Sequence, residues 1–319
     1  MNYFHKICAF EQQRVYWLVI ICFICLGVFF LVEQACAQTA TSSFLRINVD
    51  ARGTAMGGAQ GASTNDVYAV YWNPAGLSKV LLKEVAFTRQ NLFQGLTYNF
   101  LAYAMPTRSY GTLAAQLFLL SSGEITRTLE NPDGSFGGIG DSFSVSDFGL
   151  GFSQSKAVMK NISYGVSLKF LSHRIADEHA LSIAIDGGLL YQTMIERLRV
   201  GVALQNLSTR YRFIDQNLSE PWNIKFAAIY IFSDRPLFLT ADFNRISGQQ
   251  DTLNIGAEYW YLDLIALRAG MKLPPPAGFL STFSMGFGVN WRDLYQLDYS
   301  FSPHGPLGTS QCFSMFIRF

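Results

Sequence analysis

Few residues in this chain could do covalent or acid–base chemistry. Beyond residue 37 there are three histidines, His173, His179 and His304. A hydrolase would need one of them beside a serine on a neighbouring strand, with a third polar group orienting the ring. All three fall in segments that read as loops, and none sits in an alternating segment beside a serine. No catalytic residue is therefore expected, and the chain does not read as an enzyme. His173 and His179 enclose Asp177 and Glu178, a spacing that fits no standard metal site. Neither a metal nor any other cofactor is expected. Gly137-Gly138-Ile139-Gly140 lacks the Lys-Ser/Thr ending of a phosphate loop and reads as a flexible connection. What remains is a set of charges of mixed sign: Lys169, Asp186, Arg199, Lys225, Asp242, Glu258, Arg268, Lys272, Asp298 and Arg318. Each lies on the polar side of an alternating stretch. They read as a paired network in an enclosed interior rather than as an ion path.

The elements that carry those charges are strands. Phe313, Met315, Ile317 and Phe319 alternate with Cys312, Ser314, Phe316 and Arg318. Tyr295, Leu297, Tyr299 and Phe301 alternate with Gln296, Asp298 and Ser300, and Leu198, Val200, Val202 and Leu204 with Arg199 and Gly201. Successive strand side chains point to opposite faces, so such stretches have one apolar and one polar side. Fourteen can be counted; residues 82–90, 96–105, 112–121 and 143–154 are the weaker matches. At about 9–12 residues they exceed the usual strand and suit a tilted crossing of a bilayer. Tyr191, Trp222, Tyr259 and Trp291 fall near segment ends, where membrane barrels carry aromatic girdles. Tight turns at Thr107–Gly111, Ser233–Pro236, Tyr261–Asp263 and Trp291–Asp293 alternate with longer connections at 122–142, 172–180, 207–220 and 273–278. Short periplasmic turns opposite long external loops are the asymmetry of outer-membrane barrels.

Composition agrees. Of 319 residues, 50% are hydrophobic and 15% charged, against roughly 25% charged in an average soluble domain. Mean hydropathy of +0.18 is too modest for a bundle of membrane helices. A net charge of +1 supplies no basic field for nucleic acid, which is not expected as a partner. The expected fold is an all-β transmembrane antiparallel barrel of about fourteen strands with an N-terminal plug, in contact with outer-membrane lipid.

Before the barrel, Lys6 and Arg14 precede an uncharged run from Val15 to Val32, followed by Ala35-Cys36-Ala37. That order fits an export signal cut after Ala37, so residues 1–37 are assigned as a signal peptide. Cys8, Cys22, Cys25 and Cys36 would leave with it, and Cys312 alone cannot form an internal disulfide. Residues 38–80 do not alternate and read as a compact plug, with residues 81–319 as the barrel. Gly53, Gly57, Gly58 and Gly61 would allow close backbone approach or positive φ. Asn73-Pro74 has the form of a helix cap followed by proline at the first helical position.

The block from Phe44 to Leu77 resembles the start of PorV/PorQ family proteins, within the wider FadL-like barrel superfamily. The resemblance is carried by Phe44-Leu45, Ala51-Arg52, Ala55-Met56-Gly57-Gly58 and Tyr71-Trp72-Asn73-Pro74-Ala75-Gly76-Leu77. FadL-like barrels share an Asn-Pro-Ala motif in an N-terminal hatch, matched here by Asn73, Pro74 and Ala75. Two functions are implied. PorV-like members serve type IX secretion, receiving cargo through its C-terminal signal domain and passing it to the attachment machinery. FadL-like members pass hydrophobic small molecules through a plugged barrel. The first reading expects secreted cargo or secretion machinery as partners, bound at an apolar outer rim to which Leu92, Phe93, Phe136 and Leu218 could contribute. The second expects an apolar path past the plug. Phe319, in register with the apolar face, resembles the terminal signal read by outer-membrane assembly machinery.

Overall fold

The computed structural model describes residues 44–213, 216–232, 236–276 and 278–319; the signal-peptide assignment lies outside them. In chain order the strands are β1 (Glu84–Asn91), β2 (Thr97–Thr107), β3 (Gly111–Ser121), β4 (Ile125–Glu130), β5 (Phe136–Phe143), β6 (Val145–Met159), β7 (Ile162–Ile175), β8 (Glu178–Gln192) and β9 (Leu198–Ser208). They continue with β10 (Tyr211–Phe213), β11 (Gln216–Leu218), β12 (Asn223–Ile231), β13 (Leu237–Ile246), β14 (Thr252–Tyr261), β15 (Ile265–Leu273), β16 (Phe283–Trp291), β17 (Tyr295–Pro303) and β18 (Thr309–Arg318). Fourteen of them close into one antiparallel barrel, each paired with its sequence neighbours except where β4–β5 and β10–β11 stand apart as separate hairpins. Closure is made by β1 against β18, in register from Glu84 opposite Arg318 to Asn91 opposite Gln311. Lys83 and Phe319 extend that ladder by exchanging backbone hydrogen bonds of 3.1 and 2.9 Å. A closed ladder leaves no strand edge unpaired, which is what allows strands to cross a lipid layer. Among the described residues no helix is long and apolar enough to do so.

Alternation becomes two surfaces. Phe313 is 52% exposed on the outside while Ser314 beside it is 4% exposed, and Leu297 and Asp298 repeat the contrast at 58% and 5%. The outer face is an apolar band; the inner face carries the serines, amides and charges. The hairpins Tyr261–Leu264 and Trp291–Leu294 turn through two residues at positive φ, Leu262-Asp263 and Arg292-Asp293. That handedness matches the twist of the flanking strands.

Two of the expected long connections differ in kind. The stretch 172–180 is not a loop: β7 runs to Ile175, β8 starts at Glu178, and Ala176 turns between them at φ 54°. Alternation fails there as a signal because both strands extend past the lipid-facing band. Residues 122–142 contain β4 and β5, whose Ile125–Glu130 is exposed on both faces and so carries no period of two. One ladder irregularity falls between β8 and β9, where Asn206 at φ 60° lets Gln205 and Asn206 oppose Asp186 alone.

Residues 44–80 pack on the inner face of the wall. Their short helices, Ala51–Ala55, Ala69–Trp72 and the 3-10 turn Pro74–Lys79, are separated by glycine-rich loops. The core is formed between this inner segment (Phe44, Tyr68, Trp72, Leu77) and inward wall residues (Tyr98, Phe100, Phe118, Phe316). Tyr68 stacks on Phe100 with ring centroids 5.9 Å apart.

Candidate binding site

Asn73 is tied on three sides. Its Oδ1 accepts from the Ala75 N–H at 3.1 Å, capping the turn that begins at Pro74. Its Nδ2 donates to the Gly61 carbonyl at 2.9 Å and to the Leu189 carbonyl of β8 at 3.3 Å. The wall accommodates this with glycines. A Cβ on Gly165 would stand 2.2 Å from the Pro74 carbonyl carbon, and one on Gly188 2.0 Å from Asn73 Oδ1. Ser155 Oγ on β6 donates to the Ala75 carbonyl at 3.1 Å. Gly76 is held against the Thr64 carbonyl, which a Cβ would meet at 2.7 Å.

Asp50 joins the two halves of the inner segment. Its carboxylate accepts from Gly53 N–H at 2.8 Å, capping the helix Ala51–Ala55, and from Trp72 Nε1 at 2.7 Å. Arg52 projects the other way and binds Glu258 through both Nε and Nη2, at 2.8 and 2.9 Å. Arg268 shares that carboxylate at 2.6 Å and reaches Asp298 at 2.6 Å. Charges from β14, β15 and β17 thus alternate in sign with one from the inner segment, and a buried ion matched on both sides escapes most of the desolvation cost of an unpaired one. At Met56-Gly57-Gly58 the chain passes so close to β15 that a Cβ on Gly270 would lie 2.1 Å from Gly57 N. Gly57 and Gly58 take φ of 66° and 84°, a left-handed bend that side chains resist.

On either side of the inner segment the barrel is hollow. At the end with the long connections a cavity of about 400 Å³ lies between the inner segment and the walls of β1, β15, β17 and β18. Leu92, Phe93, Leu96, Leu120, Phe44 and Phe283 give it apolar sides; Arg46, Gln90, Lys272 and His304 give it polar ones. At the short-turn end a second cavity of about 200 Å³ is lined by Arg52, Asp66, Arg199, Phe238 and Trp260. His304 Nε2 lies 2.9 Å from Ser310 Oγ, and its ring is 5.3 Å from that of Phe93. Burial, with Lys272 adding to it, holds His304 below the ordinary imidazole pKa, so the ring enters the cavity neutral at pH 7.

Of the four rim residues proposed from sequence, Leu92 and Phe93 come together in the outer cavity. Phe136 stands 68% exposed on the β4–β5 hairpin and Leu218 lies on the β10–β11 hairpin; neither lines that cavity. His173 is not a loop residue. It points inward from β7, with Nδ1 2.9 Å from Asp147 and Nε2 3.0 Å from Glu220, and stacks on Tyr211 at 5.0 Å. Those contacts clamp the β10–β11 connection to the wall. His304 has a serine partner after all, Ser310 across the β17–β18 turn. Sequence reasoning overlooked Arg46 and His304 as lining residues because neither lies in an alternating segment. For His304 the remaining signal was its place between β17 and β18; Arg46, at the end of the 3-10 turn Phe44–Arg46, carried none.

Fold and inner segment define the class of the molecule: a closed fourteen-stranded barrel with a folded N-terminal segment against its inner wall. No protein-family profile matches the chain, and no curated protein matches it. Solved structures do. The CymD monoaromatic hydrocarbon channel superimposes with a TM-score of 0.63 at 15% identity, covering 86% of this chain and 98% of its own. The toluene transporter TbuX of Ralstonia pickettii gives 0.62 at 16% identity, covering 85% and 98%. A Pseudomonas aeruginosa FadL homologue gives 0.52 at 15% identity, covering 84% and 97%. At such identities the likeness is one of fold, and it extends over nearly the whole of each of those chains.

Proposed function

We propose that the protein is an outer-membrane conduit for hydrophobic small molecules, exported by its N-terminal signal, with residues 44–80 acting as its plug. The observation that carries this reading is the pair of cavities at opposite ends of the inner segment, the outer one walled by Leu92, Phe93, Leu96, Leu120 and Phe283. Concave sites with largely apolar walls and a few placed polar groups are the usual form of small-molecule sites. The proteins of similar fold named above as a hydrocarbon channel and a toluene transporter lend support. Uptake tests it. Cells lacking the protein should take up radiolabelled naphthalene or decanoate slowly, and the wild-type chain should restore the rate. Leu92→Arg with Phe93→Arg should return uptake toward the uncomplemented level while the barrel still assembles. Equal uptake with and without the protein would contradict the reading.

A second reading is the PorV-like one, in which the outer rim receives secreted proteins through their C-terminal domains. The observation in its favour is the β4–β5 hairpin, which exposes Leu129, Phe136 and Ile139 at 47%, 68% and 72%. Exposed apolar side chains outside the lipid band mark protein contacts in other settings. Secretion of such cargo should fall when Phe136 and Ile139 are both replaced by Asp, and normal secretion would count against it.

A further inference from the structure

Buried charge on the inner wall is mostly matched. Lys169 pairs with Asp186 at 2.5 Å, Lys225 with Asp242 at 3.5 Å, and Arg318 with Glu84 at 2.8 Å, beside the Arg52, Arg268, Glu258 and Asp298 network. Arg199 breaks the pattern at the short-turn end. Among the described residues it forms no ion pair, and its Nε is buried without a hydrogen-bond partner. Its ladder neighbours are Gln192 on β8 and Ile229 on β12, so no carboxylate stands opposite it in either register. The charged side chain that acts on it is Arg52, of the same sign. An arginine keeps its proton in proteins, so neutralisation cannot relieve that cost. Arg52 has a donor to spare: Glu258 takes its Nε and Nη2, while Nη1 lies 3.7 Å from Asp66, outside hydrogen-bonding distance. Both arginines line the cavity of about 200 Å³ at the short-turn end, Arg52 from the inner segment and Arg199 from β9. The carboxylates on that cavity are already engaged, Glu258 by Arg52 and Arg268 and Asp66 by the Tyr68 N–H at 2.9 Å.

From this we infer that the short-turn cavity holds a small free oxyanion, about the size of phosphate, between Arg199 of the wall and Arg52 of the inner segment. The inference goes beyond the conduit reading and does not rest on it. An anion placed between two like charges replaces their repulsion by two attractions, and in a partly buried site that exchange is weakly screened. Guanidinium groups present N–H donors in a planar fork that matches the oxygens of one oxyanion. The cavity has the room, since about 200 Å³ is the liquid share of roughly six or seven waters, enough for such an ion and part of its hydration. Because the two arginines belong to different parts of the fold, the ion ties the inner segment to β9.

Calorimetric titration of the full chain in non-ionic detergent with inorganic phosphate, at constant ionic strength, tests this. The wild-type chain should bind phosphate saturably at a single site. Arg199→Met should weaken that binding at least about tenfold, the scale of one charge-assisted hydrogen bond. Arg199→Lys, which keeps the charge, should bind more tightly than Arg199→Met, so a loss caused by misfolding is recognised. Lys272→Met removes a cation from the opposite cavity and should leave the affinity unchanged, which separates this site from a general attraction of anions. Phosphate should also raise the thermal transition of the wild-type chain and not that of Arg199→Met, because an ion bound only to the folded state stabilises it. Absence of saturable binding, or equal affinity in the wild type and Arg199→Met, would overturn the inference.

Discussion

Asn73 does more than begin a turn, because its one amide serves the 3-10 turn, the Gly61 loop and β8 together. Asn73→Ala leaves buried carbonyls without a donor, at a cost of about 1–3 kcal/mol for each group stranded. The temperature at which the folded band converts to the unfolded one in electrophoresis should drop, and Asn73→Asp, which turns an acceptor oxygen toward those carbonyls, should drop it at least as far. An unchanged transition in Asn73→Ala would show that the inner segment is not held here. Two adjacent glycines give a sharper contrast. A Cβ on Gly188 points at Asn73 Oδ1, whereas one on Gly187 meets nothing within 4 Å. Gly188→Ala should destabilise by about 1–3 kcal/mol through overpacking. Gly187→Ala should stay within about 0.5 kcal/mol of the parent. Equal effects in urea titrations would contradict the close approach of inner segment and wall.

At the scale of elements, β4–β5 forms its own two-stranded sheet and shares no ladder with the barrel. Replacing residues 124–143 by a short glycine–serine linker should leave heat-modifiable folding intact, because β3 pairs directly with β6 from Thr112–Ser155 to Ser121–Ser146. Loss of the folded band would mean that the hairpin nucleates the barrel. The fourteen wall strands were legible in the sequence because lipid on one side and a polar interior on the other impose a period of two. The hairpins were not: β4 is exposed on both faces and has no reason to alternate, and β10 and β11 are three residues each, too short to show a period. His173 was misplaced for a related reason. Its strand outruns the apolar band, so the residue reads as loop while its ring is held inside between Asp147 and Glu220. The inner charges were recognisable as inward-facing, but which of them find partners depends on register between strands far apart in the chain. Glu258 opposite Arg268 across β14–β15 is one such pairing, and Lys272 opposite Asn254 one ladder turn away is what leaves a cation unmatched.

Taken whole, the molecule is a barrel whose interior is occupied along one course of the wall and hollow at each end. The inner segment is fastened by hydrogen bonds to β8, β14, β16 and β18 through Asn73, Arg52, Gly57 and Ala51 rather than by apolar packing alone. Such contacts are individually modest. Extraction of the tagged protein from its native outer membrane in gentle detergent, with mass spectrometry of what accompanies it, tests the conduit claim most directly. The account predicts a barrel arriving without protein partners and carrying a hydrophobic small molecule. Recovery with secreted proteins that share a C-terminal domain, and with no small molecule bound, would contradict it.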